Sequence, residues 1–340
     1  MHPIRRYSLF LFESLLYGPT YGFLNQLIRV PEPLNPEMCW ELIQTQWNPI
    51  VNSTRLNYPP GFVRRLILSR RMAQTHQAGI SEHYDVSNEF YTAMLDKNFI
   101  FYSCADFLHA SDSLETAQEN KANAIFELID PQPGEEILEL GSGWCSMLRF
   151  IEARTGERNH LHGCTLSREQ FEFNQQEFGF DVKFEDFITM EYPREAFDKI
   201  YSIGAWEHVR PKEIPELLGK LYQALKPNGR IVKHFFCLHT DKVPVSAIAG
   251  QLCFPGSQLS SHRFHIEAFE NAGFRIVRQT VHDYRPTLRS WFDNLVKNKS
   301  TALKAGGIRN YNRHLVFIAA TWRFFNEGES MVVRFQLEKA

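Results

Sequence analysis

Residues 137–147 read ILELGSGWCSM, an apolar strand pattern that ends in a turn with two glycines, Gly141 and Gly143. Because glycine has no side chain, this turn lets the backbone approach a ligand closely. A dinucleotide-binding fingerprint would place a third glycine at position 146, where this chain has Ser146. The turn therefore predicts a nucleotide-like cofactor site and disfavours NAD as its ligand.

Strand and helix patterns alternate along the chain around this turn. The strand patterns, in order, are EEILEL, HLHGCTL, DVKFEDF, FDKIYSIGA, GRIVKHFF, FRIVRQTVHDY and MVVRFQLEK. Helix patterns lie between most of them, and Ser113 and Ser167 are predicted N-caps of two of these helices. Such alternation predicts an α/β fold with a mostly parallel sheet and helices on both faces.

Each polar or glycine motif of this region follows a predicted strand. The motifs are Gly141–Gly143, Thr165–Ser167, Glu185 with Asp186, Glu207 with His208, and His234. The carboxyl ends of parallel strands lie at one edge of the sheet, where ligands bind, so we expect five loops to form one pocket. The hydroxyl, amide and carboxylate groups of these loops suit an adenosine with an amino-acid tail, and S-adenosylmethionine is the predicted cofactor.

The composition narrows the class of protein. The 37 Lys and Arg residues nearly balance the 39 Asp and Glu residues, which does not favour a nucleic-acid partner. Hydrophobic residues make up 44% of the chain and include 28 Phe, which fits a large core and also an apolar cavity or membrane-facing patch. The six cysteines form no C-x-x-C pair, so we expect reduced thiols in a cytoplasmic protein and no metal site.

Residues 1–75 form a predicted helical N-terminal segment, ahead of a second domain at 76–340 that contains the glycine turn. The chain starts like a signal peptide, but Glu13 interrupts the apolar run and no cleavage site follows. No stretch reaches the roughly 18 apolar residues of a membrane span. The basic amphipathic stretch RRLILSRRMAQ at 64–74 fits either a solvated helix face or peripheral contact with an anionic membrane. The sequence is also compatible with a homo-oligomer.

Several motifs, taken in order, resemble one known family. They are HYDVSNEFYTAMLDKNFIFYSCADF at 83–107, LELGSGWCS, TLSREQ, SIGAWEHV, IVKH, CFPGSQL and HDYRPTL. This series resembles the cyclopropane fatty acid synthases, including the mycolic acid cyclopropane synthases, over roughly residues 80–335. The resemblance implies a Rossmann-like class I methyltransferase with a seven-stranded sheet. It also implies that S-adenosylmethionine methylates the alkene of a lipid acyl chain, giving a cyclopropane or methyl-branched product.

The resemblance also implies which residues contact the cofactor. They are Tyr84, Tyr102, Ser103, Glu139, Gly141, Gly143, Thr165, Leu166, Gln170, Asp186 and Phe187. Glu139 precedes the glycines within a strand, so we expect it to orient the glycine loop rather than to react.

The family holds a bicarbonate that acts as the base after methyl addition, and the resemblance implies its position in this chain. The implied holders are Cys104, Glu207, His234, Tyr284 and the backbone amide of Phe236. Histidine and tyrosine can donate hydrogen bonds to an anion, and a carboxyl group can orient its proton. We further expect the rings of Trp206 and Phe235 to stabilise a cation in this pocket.

Two departures leave an alternative open. Cys145 stands where the family has a glycine near the cofactor. The C-terminal TWRFF and NEGESMVVRFQLEK stretches also resemble the plant coclaurine N-methyltransferases, in which a glutamate–histidine pair serves as the base. Glu207 and His208 form such a pair. The alternative function is therefore N- or C-methylation of a small apolar metabolite.

Overall fold

The computed structural model describes residues 11, 18–45, 84, 86–241, 250–254 and 257–339. The chain forms two compact units. The first comprises Met1–Met94, Val243–Ser257 and Leu288–Glu327, and the second comprises Leu95–Lys242, Gln258–Thr287 and Gly328–Ala340. The predicted domain boundary at residues 75 and 76 and the basic stretch at 64–74 lie outside the described residues, and both stay predictions.

The described residues form ten α-helices and seven strands. The helices are α1 Pro19–Ile28, α2 Pro36–Thr45, α3 Asn88–Met94, α4 Leu114–Ile129, α5 Ser146–Thr155, α6 Arg168–Glu177, α7 Ile214–Ala224, α8 His262–Asn271, α9 Arg285–Lys297 and α10 Lys299–Asn326. The strands are β1 Ile137–Leu140, β2 Leu161–Thr165, β3 Asp181–Phe184, β4 Phe197–Ile203, β5 Leu225–Leu238, β6 Phe274–His282 and β7 Ser330–Lys339.

The second unit contains one seven-stranded sheet with the order β3-β2-β1-β4-β5-β7-β6. The first five strands are parallel to their neighbours, and β7 runs antiparallel to both β5 and β6. The strand order reverses between β1 and β4, so the glycine turn after β1 lies at the point where ligands bind in doubly wound sheets. The predicted fold class, a mostly parallel seven-stranded sheet covered by helices, is confirmed.

The two predicted N-caps are confirmed. The side chain of Ser113 accepts a hydrogen bond from the backbone nitrogen of Thr116 at 3.1 Å, at the start of α4. The side chain of Ser167 accepts one from the backbone nitrogen of Gln170 at 3.3 Å, at the start of α6. Each cap satisfies an amide that the helix leaves without a partner, which fixes where the helix begins.

Alternating strand residues divide the core of the second unit between the two faces of the sheet. Ile231 and Phe235 of β5 lie in the cluster that α7 and α8 cover, whereas Val232 lies in the cluster that α4 and α5 cover. All three side chains are at most 1% exposed. Burial of each large apolar side chain contributes about 1.5–3 kcal/mol, so both helical layers stabilise the sheet that carries the loops.

The first unit is helical in its described parts. Asn312 of α10 accepts a hydrogen bond from the backbone nitrogen of Leu34 at 2.9 Å, which joins α10 to the chain before α2. A Cβ atom at Gly306 would lie 2.5 Å from the ring of Phe90 on α3, so only glycine permits this close approach. α10 is kinked at Gly307, where φ is 74°. Within the described ranges, none of the helices has both the length and the apolar character needed to cross a bilayer.

Candidate active site

The turn after β1 packs against the loops that follow β3 and β4. Gly141 has a φ of 77°, in the left-handed region that favours glycine. A Cβ atom at this position would lie 2.5 Å from Cβ of Ala205 and 4.0 Å from Cε1 of Phe187. The first distance is far shorter than van der Waals contact, so this position requires glycine. The loops with Gly141 and Phe187, predicted to share a site, lie together.

Gly143 marks an open space in the same turn. Its φ is 54°, and the nearest described atom to a Cβ placed there would be Nε2 of Gln170, at 3.9 Å. α5 begins three residues later, with Cys145 as its N-cap at a φ of 60°. The amides at the start of a helix favour an anion. An open space beside such amides fits the carboxylate end of S-adenosylmethionine, and the left-handed conformation of Cys145 is one that glycine adopts without strain.

The loops after β2 and β3 supply further polar groups at this edge. Thr165 donates a hydrogen bond to Oε1 of Gln170 at 2.9 Å, which orients the Gln170 amide nitrogen toward Gly143. Asp186 accepts a hydrogen bond from the backbone nitrogen of Ile188 at 2.9 Å, which shapes the loop that carries Phe187. Leu166 follows Thr165 directly. The structure thus brings the predicted cofactor residues of three loops to one edge, while their contact with a cofactor stays a prediction.

Glu139 lies beneath the glycine turn, in β1. Its side chain is 3% exposed, and Oε2 accepts a hydrogen bond from the hydroxyl of Tyr201 at 3.1 Å. Burial raises the pKa of Glu139 well above its ordinary value, because the charged carboxylate would lose its water. Glu139 is therefore a buried carboxyl group held by Tyr201 inside the sheet, which suits support of the turn.

Two parts of the second unit, α4 and the loop after β4, contact the segment around Ser103. Lys121 of α4 donates a hydrogen bond from Nζ to Oγ of Ser103 at 2.8 Å, and Gln118 donates one to the Ser103 carbonyl oxygen at 3.1 Å. On the other side, a Cβ atom at Gly204 would lie 3.0 Å from Cβ of Ser103 and 3.3 Å from the carbonyl oxygen of Tyr102. The loop after β4 therefore packs directly on the two predicted cofactor residues Tyr102 and Ser103.

Lys121 is a fully buried ionisable group behind this segment. Its Nζ lies 3.6 Å from the centroid of the Phe101 ring, and Asp96 and Asp106 are the nearby carboxylates. Burial lowers the pKa of Lys121 to about 7, although both carboxylates act in the opposite direction. The cation behind Ser103 is therefore sensitive to pH near neutrality.

Replacement of Lys121 by methionine is expected to change the pH dependence of stability. The unfolded chain keeps the lysine proton up to a pKa of about 10. The folded chain loses it near 7, so the unfolded state binds more protons between these values and the free energy of unfolding rises with pH. This contribution is at most about 1.4 kcal/mol per pH unit. Urea unfolding at pH 7 and pH 9 should show a smaller rise in the variant than in the parent.

The control for this measurement is Lys212→Met, because Lys212 is exposed. It should keep the pH dependence of the parent. The same pH dependence in the parent and in Lys121→Met would contradict the buried titration.

Glu207 lies in the short 3-10 helix Trp206–His208, directly after β4. Its Oε2 atom is buried and has no hydrogen-bond partner among the described residues. Burial raises the pKa of Glu207 to about 8, because the charged carboxylate would lose its water, and a backbone hydrogen bond offsets this only in part. A carboxyl group with a pKa close to the working pH is suited to general acid or base catalysis. His208, 8% exposed, is its neighbour in the chain.

His234 and Cys104 meet at the same edge, with one correction to the sequence prediction. His234 lies within β5, four residues before its end, and does not follow the strand as predicted. The strand continues because β7 pairs with it through residue 238. Nε2 of His234 lies 3.2 Å from the carbonyl oxygen of Cys104. The Cys104 thiol is directed at the carbonyl oxygen of Asp283 at 3.6 Å, next to Tyr284.

The two rings predicted to stabilise a cation are core residues. Nζ of Lys233 lies 2.9 Å from the centroid of the Trp206 ring, and the Phe235 ring packs 4.7 Å from that of His265. Both aromatic side chains are at most 1% exposed. The alternation of β5 places Phe235 on the opposite face from His234, so the expected role of these rings is not supported.

Other residues of the region were missed by the sequence reasoning. Lys121 and Arg334 are buried charged residues that contact the predicted site residues Ser103 and His234, and Asp106 in turn binds Arg334. The sequence signal that could have identified Lys121 and Arg334 is a charged residue at a position of a helix or strand that the apolar pattern predicts to be buried. Tyr84, in contrast, belongs to the first unit, and its predicted cofactor contact stays a prediction.

Comparisons with known proteins agree with this fold. The family model described as mycolic acid cyclopropane synthetase matches residues 71–335. The chain is 32% identical over 269 residues to a probable fatty acid methyltransferase of Mycobacterium tuberculosis. That match covers 76% of this chain, and the chain spans only 62% of that relative's length.

Two solved structures share the fold. A mycolic acid cyclopropane synthase complexed with SAH and CTAB superposes with a TM-score of 0.70 at 25% identity, covering 78% of this chain and 98% of that one. A coclaurine N-methyltransferase bound to N-methylheliamine and SAH gives a TM-score of 0.69 at 20% identity, covering 93% of this chain and 98% of that one. Both resemblances predicted from the sequence are thus confirmed, the second at the level of the fold.

Proposed function

The chain belongs to the mycolic acid cyclopropane synthetase family, and on that premise we propose that it methylates the alkene of an unsaturated acyl chain. The family is S-adenosylmethionine-dependent, as predicted, and the product would be a cyclopropane or a methyl-branched lipid. When bound, S-adenosylmethionine supplies an electrophilic methyl group. Relatives named as fatty acid methyltransferases and a related structure with CTAB, a long-chain detergent, support an acyl chain as the acceptor.

The unpartnered carboxyl oxygen of Glu207 is the observation that carries the proposed methyl transfer with proton removal, whereas the names of the relatives support the acyl acceptor. Methyl addition to an alkene gives a cation that must lose a proton, so the site needs a base that is not already engaged. Glu207 lies three residues after Gly204, which packs on Ser103, and two residues after Ala205, which packs on Gly141. Its carboxyl group is thus on the loop that contacts both predicted cofactor segments. A positively charged sulfonium nearby would favour the ionised carboxylate, which is the form that accepts a proton.

The residues that would hold the family's bicarbonate fit an anion only in part. Glu207 fits, since Oε2 has no partner among the described residues. His234 does not fit, because Nε2 lies at hydrogen-bond distance from the Cys104 carbonyl oxygen and Nδ1 from Arg334. The Cys104 thiol is directed at backbone carbonyl oxygens. We therefore propose Glu207 itself as the proton acceptor.

The second candidate function is methylation of a small apolar amine. Two features favour it: the likeness in fold to the coclaurine N-methyltransferase covers 93% of the chain, and the sequence resemblance to those enzymes implies Glu207 and His208 as the basic pair. An amine also needs to lose a proton, so Glu207 would keep its role. Only the acceptor distinguishes the two functions.

We expect methyl transfer from labelled S-adenosylmethionine to vesicles of unsaturated phosphatidylglycerol. Vesicles of the saturated lipid with the same headgroup are the matched control and should stay unlabelled, because they have no alkene. Scintillation counting and mass spectrometry of the extracted lipid measure the product. Absence of label in both lipids, with turnover on a soluble tetrahydroisoquinoline amine, would contradict the acyl proposal and support the second candidate.

A further inference from the structure

Arg334 of β7 contacts the predicted catalytic residue His234 from the neighbouring strand. The two residues are directly paired in the β5–β7 ladder, so their side chains lie on the same face of the sheet. Nε of Arg334 donates a hydrogen bond to Nδ1 of His234 at 3.3 Å. Arg334 is 4% exposed, so this contact is shielded from water.

The guanidinium group is itself fixed by a buried carboxylate. Its two terminal nitrogens lie 2.9 and 3.0 Å from the two carboxylate oxygens of Asp106. Nδ1 of His282 also lies 2.8 Å from Asp106. Although burial acts in the opposite direction, the hydrogen bond from His282 and the charge of Arg334 hold the pKa of Asp106 below its ordinary value. The carboxylate therefore stays ionised and keeps the guanidinium in this orientation.

This geometry determines where the ring of His234 carries its proton. An arginine side chain has donors and no acceptor, so Nδ1 of His234 must offer its lone pair to Arg334. The ring hydrogen then resides on Nε2, which donates to the Cys104 carbonyl oxygen at 3.2 Å. Burial and the charge of Arg334 both hold the pKa of His234 well below its ordinary value, and His282, Lys121 and Asp106 are the other charged or titratable groups around it. Both ring nitrogens are thus engaged within the protein.

We infer that Arg334 fixes His234 as a neutral hydrogen-bond donor, and that His234 positions the Cys104 segment rather than holding a bicarbonate. Arg334 and His234 are then positioning residues for the segment that begins with Tyr102 and Ser103. Proton removal falls to Glu207 without a bound anion. This last step rests on the proposed function, whereas the state of the His234 ring does not.

The first test reads the His234 ring directly and needs no substrate. Protein labelled with 15N-histidine is studied by long-range 1H–15N NMR between pH 5.5 and 8.5, and the His234 signals are assigned by their loss in His234→Gln. We expect a protonated Nε2, an unprotonated Nδ1 and no titration over this range. A protonated Nδ1, or a titration midpoint within the range, would overturn the inference whatever the acceptor of the enzyme is.

The second test compares Arg334→Met with Arg275→Met. Arg275 lies on β6, where it pairs with Glu338 and its side chain is 69% exposed, so its loss should change neither readout. In Arg334→Met we expect the two ring tautomers of His234 to mix, because Nδ1 has lost its donor, and the Kd for SAH to rise about tenfold, because the Cys104 segment loses its fixed donor. Arg334→Lys should restore part of the affinity. If Arg334→Met does not fold, the spectrum of the parent protein decides alone.

The third test concerns bicarbonate. Turnover of the parent on unsaturated vesicles, in buffer freed of carbon dioxide, should change less than about twofold when bicarbonate is added, since general-base effects are typically 100-fold or more. A tenfold or larger stimulation would overturn the role assigned to Glu207. Failure of the proposed function is distinguishable, because it would abolish lipid labelling and leave the NMR result unchanged.

Discussion

Replacement of Glu207 by glutamine is expected to lower turnover by about 100-fold or more, the usual effect of losing a general base. Glutamine has nearly the same shape but cannot accept the proton, so the loss measures the chemical role of the carboxyl group. Affinity for SAH, measured by calorimetry, should change little, because the loop keeps its packing at Gly204 and Ala205. Turnover within threefold of the parent would exclude Glu207 as the base.

The matched control for this experiment is Glu216→Gln. Glu216 lies on α7 with a side chain that is 77% exposed, beside Lys220 at 3.5 Å. An exposed pair of this kind contributes little, so neither turnover nor SAH affinity should change. A loss in the control similar to that in Glu207→Gln would point to the loss of charge in general rather than to the site.

The pH dependence of the parent should report the same group. The pKa of Glu207 is raised to about 8 in the folded chain, so the basic form increases with pH up to that value. We expect kcat/KM of the parent to rise with pH below about 8, tenfold per unit at the low end, and the residual activity of the glutamine variant to lack this rise. A profile that is flat from pH 6 to 8 in the parent would contradict the assignment.

Raising the pH should increase the activity of the parent but decrease its stability. The unfolded chain ionises Glu207 near pH 4.3, whereas the folded chain keeps its proton to about 8. The folded state therefore binds more protons between these values, and stability falls as pH rises through the window. Because glutamine does not ionise, Glu207→Gln should be more stable than the parent at pH 8 by thermal unfolding. The catalytic carboxyl group is thus expected to cost stability.

Much of the fold could be predicted from local sequence signals. The strand patterns of β1, β2, β4 and β5 and the caps Ser113 and Ser167 were correct because each signal is short range. α3, α8 and α9 were not predicted, although Leu288, Trp291, Phe292 and Leu295 of α9 recur at helical spacing and gave a usable signal. The antiparallel direction of β7 was not predicted either, because it depends on pairing with β5, a contact between distant parts of the chain.

The candidate site shows the same division. Gly141 and Gly143 follow β1 and Thr165 ends β2, so topology alone places them at one edge of the sheet. Lys121 and Arg334 lie inside a helix and a strand, and their roles depend on which residues face them after folding. The contact between His234 and Arg334 could not be predicted for the same reason, because the two residues are 100 positions apart in the chain.

Replacement of Gly143 by valine is expected to abolish detectable SAH binding in calorimetry. The position has a φ of 54°, which a β-branched residue avoids, and the space beside it is open except for Nε2 of Gln170 at 3.9 Å. Valine would fill the space that fits the amino-acid end of the cofactor. Gly134→Val separates this effect from strain, because Gly134 also has a positive φ, 77°, with nothing described within 4 Å, and lies outside the site. In both variants the left-handed backbone conformation is expected to lower the free energy of unfolding by about 1–2 kcal/mol. Only Gly143→Val should also lose SAH binding. Equal SAH binding by the parent and Gly143→Val would remove the glycine turn from the cofactor site.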